Sequence, residues 1–223
     1  MNTIEAPSPN FNARTKPVSL IVLHYTGMES GQAALDRMRD PEAKVSAHYM
    51  VEEDGRIFRL VDESKRAWHA GVSEWAGEKD INSISIGIEI VNGGHDFGLP
   101  DFPIAQINAV ISLTKEIMAR HSIPAHRVVG HSDIAPDRKQ DPGEKFPWMQ
   151  LADAGCAIWP DPLLPPTFGN LDKLSRIGYN LRFGQGAVIA AFQRRFRPEK
   201  ITGWMDENTA SYIASIEAIS SAS

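Results

Sequence analysis

A loop from Gly130 to Gly143 concentrates the residue types that can do chemistry: His131, Asp133, Asp137, Arg138, Lys139 and Asp141. It follows the apolar pair Val128-Val129 and is broken by Pro136, Pro142 and Gly143, which marks it as loop rather than element interior. His131 and Asp141 are too far apart to share a helical face, yet a loop that folds back can bring both to one ion. Taken alone they also read as a cap and a turn residue. Two other polar groups stand near strand ends, His24 and Glu89. His24, His131 and Asp141 together make a three-ligand zinc set that leaves a fourth position for water. Glu89, outside that set, is the candidate to take a proton from water and hand it to a leaving nitrogen. Lys139 lies two residues before Asp141, so in an extended segment both side chains leave the same side. Its ammonium can neutralise an oxyanion on an attacked carbonyl, and the parts fit amide hydrolysis.

The elements that must position these groups are readable from periodicity. Val18 to Tyr25 is a continuous apolar run, as expected of a strand buried on both faces, and His24 sits at its end. Ile84, Ile86, Ile88 and Ile90 alternate with Ser85, Gly87 and Glu89. One face is therefore core, and the other stays small until the carboxylate, which is expected to stand over an open floor. Val45 to Val51 and Arg56 to Val61 form a hairpin around Asp54-Gly55. Helical spacing covers Gln32 to Met38 and Ile104 to Arg120, with Pro103 at a first helical position. Polar strand ends that converge are where open α/β folds place ligands.

Composition narrows the function classes. The chain has 223 residues and a net charge of -5, and no basic block with interleaved aromatics, so nucleic acid is not the expected partner. Its single cysteine, Cys156, excludes an intramolecular disulfide and a multi-thiolate metal site. The N-terminal arm, residues 1–16, is expected to be irregular and lacks the apolar stretch of a secretory signal, no apolar run is long enough for a membrane span, and no lipidation cysteine follows. No membrane anchor is expected, and the default compartment is the cytoplasm. A proline-dense stretch from Trp159 to Pro166 reads as a linker. Beyond it, Val188, Ile189, Phe192 and Phe196 share a helical face, and Asp206 can cap a last helix carrying Thr209, Ile213 and Ile216.

Five ordered blocks carry a resemblance: Leu23-His24-Tyr25-Thr26, Val45-Ser46-Ala47-His48-Tyr49, Trp68-His69-Ala70-Gly71, Asn82 to Glu89, and Gly130-His131-Ser132-Asp133 with Lys139-Gln140-Asp141-Pro142-Gly143. The chain resembles the zinc-dependent N-acetylmuramoyl-L-alanine amidases of the amidase-2 family, relatives of the peptidoglycan-recognition proteins. The resemblance implies a mixed central β-sheet flanked by helices, an α/β fold. It implies Zn2+ held by His24, His131 and Asp141, Glu89 as general base and acid, and Lys139 stabilising the transition state. The bond cut would join the lactyl group of muramic acid to L-alanine. Residues about 168 to 218 resemble three-helix peptidoglycan-binding modules through Arg176 to Tyr179, Ala191 to Phe196 and Gly203 to Ala210. The expected organisation is an amidase domain over residues 1–158, a linker over 159–167 and a small three-helix domain over 168–223. This order is similar to the anhydro-muropeptide amidases, and with neither an export signal nor an anchoring cysteine the reading favours recycling of 1,6-anhydro-muropeptides in the cytoplasm. The partners implied are peptidoglycan fragments. The competing readings are a catalytically silent muropeptide-recognition protein and a lytic amidase acting on intact wall.

The remaining polar residues divide between binding and packing. Tyr25, Trp68, His69, Ala70 and Asn92 are the expected substrate-side residues, with loop packing the alternative for His69 and a turn role the alternative for Asn92. His48 is expected to be structural, and His95, His121 and His126 are expected at the surface. Trp75, Phe97 and Phe102 are read as loop aromatics covering core rather than as a sugar-stacking wall. Asp137 and Arg138 are read as ordinary loop charges.

Overall fold

Alternating isoleucines and a short apolar run next to them set the architecture, because strands buried on both faces must pair side by side under layers of helix. The computed structural model describes residues 2–222. Its strands are β1 (Ile4–Glu5), β2 (Phe11–Ala13), β3 (Leu20–Tyr25), β4 (Tyr49–Val51), β5 (Ile57–Arg59), β6 (Lys65–Ala67), β7 (Ser85–Ile90) and β8 (Val128–Gly130). Its α-helices are α1 (Gly31–Arg39), α2 (Ile81–Ile84), α3 (Ile104–His121), α4 (His131–Ile134), α5 (Trp148–Asp153), α6 (Asn170–Ile177), α7 (Gln185–Phe196) and α8 (Glu207–Ala222). The main sheet has the order β1-β5-β4-β7-β3-β8, and β2 pairs with β6 in a separate antiparallel ribbon. Within the main sheet only the β4–β5 hairpin is antiparallel, so the fold is the expected mixed α/β sheet.

Residue parity divides the core between the two faces. Ile21, Leu23, Ile86, Ile88 and Ile90 pack against Ile107, Val110, Leu113 and Ile117 of α3, with Trp148 and Leu151 of α5. Each such side chain, taken fully out of water, stabilises the fold by about 1.5–3 kcal/mol before entropy is counted. On the other face Leu20, Val22 and Val129 meet Leu174, Val188, Phe192, Phe196, Ile213 and Ile216 from α6, α7 and α8. The helices beyond the proline-rich stretch therefore share one apolar cluster with the sheet. A third cluster joins Ala34, Leu35 and Met38 of α1 to Met50 and Phe58.

Several boundaries differ from the sequence reading for local reasons. Ser30 caps α1 by accepting from the Ala33 amide at 3.2 Å, so the helix begins at Gly31. Pro103 is the N-cap of α3 rather than its first residue, with φ -60 and ψ 144. The N-terminal arm, expected to be irregular, supplies β1 and β2, because its backbone finds β5 and β6 as edges to pair with. Asp206 does cap the last helix, its Oδ1 accepting from the Thr209 amide at 2.9 Å.

Candidate metal centre and active site

Parallel pairing of β3 with β7 puts His24 opposite Glu89, and pairing of β3 with β8 puts Leu23 opposite Gly130, so His131 leaves its strand beside His24. Three strand ends thus open onto one cleft of about 440 Å³ lined by His24, Glu89, His131, Lys139 and Asp141 among others. The loop after α4 folds back to return Asp141 to the same place. Ser132 N–H donates to the Asp141 carbonyl at 2.9 Å, closing that return.

His24 Nδ1, His131 Nδ1 and Asp141 Oδ2 form a tight triangle: 2.9 Å between the two nitrogens and 3.0 Å from each nitrogen to the oxygen. All three residues are buried, and among the described residues they are a group whose donor atoms could hold one metal ion. Donors about 2.0–2.1 Å from a zinc ion lie roughly 3 Å from one another, so two imidazole nitrogens and a carboxylate oxygen at this spacing fit that ion in chemistry and size. Burial, together with the neighbouring His131, pushes His24 down to about 4, so it is neutral and ligand-competent at neutral pH. Burial acts to raise the Asp141 carboxyl. The neighbouring His131 and then His24 outweigh it and hold the group well below the usual carboxylate range.

Glu89 behaves in the opposite way. It is half-buried on the cleft, and desolvation of its carboxyl, then the charge of Asp141, raise it well above its ordinary value, with Lys139 pulling only weakly against them. Its Oε2 is buried with no hydrogen-bond partner. An unpartnered carboxyl poised toward protonation beside an ionised one is the pattern of a proton carrier next to an electrostatic anchor. Lys139 is half-buried on the cleft wall, its amide donating to the Ala135 carbonyl at 3.0 Å.

The expected substrate-side residues are placed unequally. Tyr25 and Trp68 line the cleft; Tyr25 Oη lies 3.0 Å from His95 Nδ1, and the Trp68 indole N–H donates to Asn12 Oδ1 at 2.6 Å. His69 also touches the cleft, but its Nδ1 is 3.0 Å from His24 Nε2 and its Nε2 is 3.1 Å from Ser85 Oγ. The floor beside Glu89 is therefore not open. A Cβ on Gly87 would meet the His69 ring at 2.5 Å, and the small residue exists to admit that ring. Ala70 is fully buried, and its carbonyl faces His131 Nε2 at 3.1 Å. The Asn92 amide is committed to its own loop, donating to the Pro100 carbonyl at 2.9 Å and accepting from the Gly94 amide at 2.9 Å.

Other residues gain roles that spacing could not give them. Arg138 is not an idle loop charge, since its Nη2 donates to the Ala70 carbonyl at 2.6 Å on the cleft wall. His95 is partly buried in that wall between Tyr25 and Glu144. His48 is enclosed, its Nδ1 accepting from the Gly87 amide at 2.9 Å, while His121 pairs with Glu63 at 2.6 Å. Asp133 caps the Gly130 amide at 2.8 Å and meets Arg195 at 2.7 Å and the Tyr179 hydroxyl at 2.5 Å, contacts that join α7 and the end of α6 to the His131 segment. The one sequence signal for Asp133 was its place beside His131 in the matched block.

Comparison with known proteins agrees with the geometry. A family model described as N-acetylmuramoyl-L-alanine amidase matches residues 14–144. The amidase AmiD of Escherichia coli K12 is 39% identical over 222 residues, covering 86% of this chain and 79% of that protein. The 1,6-anhydro-N-acetylmuramyl-L-alanine amidase AmpD of Haemophilus influenzae is 37% identical, covering 63% of this chain and 85% of its own length. A crystal structure of AmpDh3 from Pseudomonas aeruginosa in complex with anhydromuramic pentapeptide superposes with a TM-score of 0.82 at 36% identity, over 98% of this chain and 99% of that one. The matched span begins before β3 and ends just after Asp141, so it takes in every residue of the triangle together with Glu89 and Lys139, and the chain belongs to the N-acetylmuramoyl-L-alanine amidase family.

Proposed function

We propose that the protein is a zinc-dependent amidase that hydrolyses the amide between the lactyl group of N-acetylmuramic acid, in its 1,6-anhydro form, and the L-alanine of the stem peptide, acting on soluble fragments in peptidoglycan recycling. The observation that carries this reading is the triangle of donor atoms at 2.9–3.0 Å with Glu89, its Oε2 buried and unpartnered, on the same cleft. Zinc held there supplies Lewis acidity to the scissile carbonyl and lowers the pKa of water to about 7. Glu89 accepts a proton from the attacking water and returns it to the alanine nitrogen as that nitrogen leaves. Lys139 lends positive charge to the oxygen that becomes anionic. Tyr25 and Trp68 are the substrate contacts that the cleft lining supports. The anhydro form is supported by the substrates named for the AmpD relative and the AmpDh3 complex.

No helix among the described residues is long and apolar enough to cross a membrane. Cytoplasmic placement belongs to the recycling reading and goes with soluble fragments as substrate. Residues 168–223 are proposed as a peptidoglycan-binding-like module; a groove between α6 and α7 carries Trp204 at 78% exposure on its rim. The test is metal analysis of the purified protein together with release of peptide from anhydro-muropeptide, abolished by a chelator and restored by Zn2+. Bound zinc without hydrolysis would sink the enzyme reading in favour of silent recognition. Turnover on whole sacculi equal to or faster than on soluble fragments would sink recycling in favour of a lytic role.

A further inference from the structure

Imidazole can offer either nitrogen to a metal, and which one it offers is set by what the other nitrogen binds. In this chain the choice can be followed from a fixed end. The Ile81 carbonyl can only accept, and Ser85 Oγ lies 2.6 Å from it, so the Ser85 hydroxyl proton points there. Ser85 Oγ is then left to accept from His69 Nε2–H at 3.1 Å. His69 Nδ1, without a proton, accepts from His24 Nε2–H at 3.0 Å. The lone pair of His24 is thereby delivered to Nδ1, the atom that faces Asp141. The second histidine is set from the next residue along: the Ala70 carbonyl accepts from His131 Nε2–H at 3.1 Å, which leaves the His131 lone pair on Nδ1 as well.

We propose that His69 and Ala70 act together as the positioning device of the metal centre, the His69 ring, anchored through Ser85 to Ile81, fixing the tautomer of His24 and the Ala70 carbonyl fixing that of His131. This rests on His24, His131 and Asp141 being the metal set. Three features show that the device is built rather than incidental. Asn82 Oδ1 accepts from both the His69 and Ala70 amides, at 3.1 and 2.8 Å, and so locks the dipeptide's backbone. Gly87 clears the space that the His69 ring fills. Ser85 and Ala70 are fully buried, so water does not compete for their contacts. With the proton chain in this direction, two lone pairs face each other across 2.9 Å with no proton between them, an arrangement that a cation relieves. His69 has both ring nitrogens engaged, which leaves only its carbon edge for anything in the cleft.

The test uses the full-length protein, Zn2+ or Co2+ as the only added ligand, and no substrate, so failure of the amidase reading would show separately. Long-range proton–nitrogen NMR of the metal-free protein is expected to find His24, His69 and His131 all protonated on Nε2. Ser85→Ala, which removes the anchor with little change of volume, is expected to release the His69 and His24 tautomers. It should also weaken Zn2+ binding in chelator competition by about 10-fold, and His69→Phe by about 10- to 100-fold. Ser85→Thr, which keeps the hydroxyl, restores affinity, and the Co2+ visible spectrum changes in Ser85→Ala but not in Ser85→Thr. Should His69→Phe fail to fold, the serine pair decides. Unchanged Zn2+ affinity and spectrum in a folded Ser85→Ala protein, or a proton on His24 Nδ1 in the wild type, would overturn the assignment.

Discussion

The site is assembled from two unlike halves, and they are held by different means. His24 and Glu89 ride on β3 and β7, where parallel register opposes them directly, so backbone pairing alone fixes their spacing. His131, Lys139 and Asp141 belong to a loop whose shape depends on side chains far away in sequence. Asp133, between the two ligands, is the clearest case: enclosed by the fold, it carries the Gly130 amide, Arg195 and Tyr179 at once, and Arg195 also holds the Val128 carbonyl at 2.9 Å. One half is rigid because it is sheet; the other is rigid because the C-terminal helices grip it. The two halves also treat a buried carboxyl in opposite ways, Glu89 being driven toward protonation and Asp141 away from it.

The sharpest way to break this comparison is to remove one carboxyl from each half. Glu89→Gln is expected to lower kcat by about 10²–10⁴ while zinc stays bound, because the base is lost and the ligand set is not. Asp141→Ala is expected to lose hydrolysis together with zinc, since one of the three donors is gone. Zinc content by atomic emission beside initial rates on anhydro-muropeptide separates them. An active Glu89→Gln protein, or an Asp141→Ala protein that keeps its zinc, would erase the division of roles.

Removing the grip on the loop half comes next. Arg195→Met leaves the enclosed Asp133 without its counter-charge, and breaking a buried pair from one side costs about 3–5 kcal/mol. Tyr179→Phe removes one hydrogen bond to the same carboxylate and should cost about 1.5–3 kcal/mol. Denaturant unfolding reads both, and each variant should also bind zinc more weakly than a strand-half control such as Glu89→Gln. Equal zinc affinity in Arg195→Met and wild type would mean that the loop holds its shape without α7. Lys139→Ala is expected to lower kcat by about 10²–10³ with zinc content unchanged, as for removal of one donor to a developing oxyanion. A Lys139→Ala protein whose KM rises while kcat is unchanged would move the lysine from chemistry to ground-state binding.

The two halves were also unequally legible. The strand half could be read from residues alone, because Ile86, Ile88 and Ile90 alternate with period two and share one face, although Ile84, read into the same stripe, ends α2 and packs in the cluster on the other side. The loop half was legible only as residue types: His131 and Asp141 alone also read as a cap and a turn residue, and they became a candidate site, with Lys139, only beside His24 and Glu89. What holds the loop was not. Arg195 lies on an apolar helical face, and nothing local says that its guanidinium reaches Asp133 across 62 positions. His69 was legible as important with its role left open between substrate contact and loop packing, because a motif residue in a glycine-bounded loop looks the same whether it faces substrate or a ligand histidine. The space above Gly87 was read as open floor for the same reason: a glycine shows that something is close without showing what.

The smallest effect, and the one that tests the opposed carboxyls without any catalysis, is the pH dependence of stability in the metal-free protein. Unfolded, Glu89 ionises near 4.5; folded, it holds its proton well above that. The stability gained by keeping the proton is complete below about pH 4.5 and is lost as pH rises through the raised value, so at neutral pH the poorly solvated Glu89 carboxyl works against the fold. Glu89→Gln carries no charge to bury and should therefore melt a few degrees higher than wild type at pH 7, at roughly 2–4 °C per kcal/mol for a chain of this size, with the gap closing toward pH 4.5. Asp141 has the reverse sign. Its folded value lies below the ordinary 3.8, so its contribution is present above about pH 4 and lost as pH falls, and Asp141→Asn should melt lower than wild type at pH 7 by a margin that shrinks in acid. The variants' melting temperatures, taken relative to wild type, should thus diverge as pH rises from 4 to 7. Parallel curves would mean that the two halves of the site present one electrostatic environment rather than two.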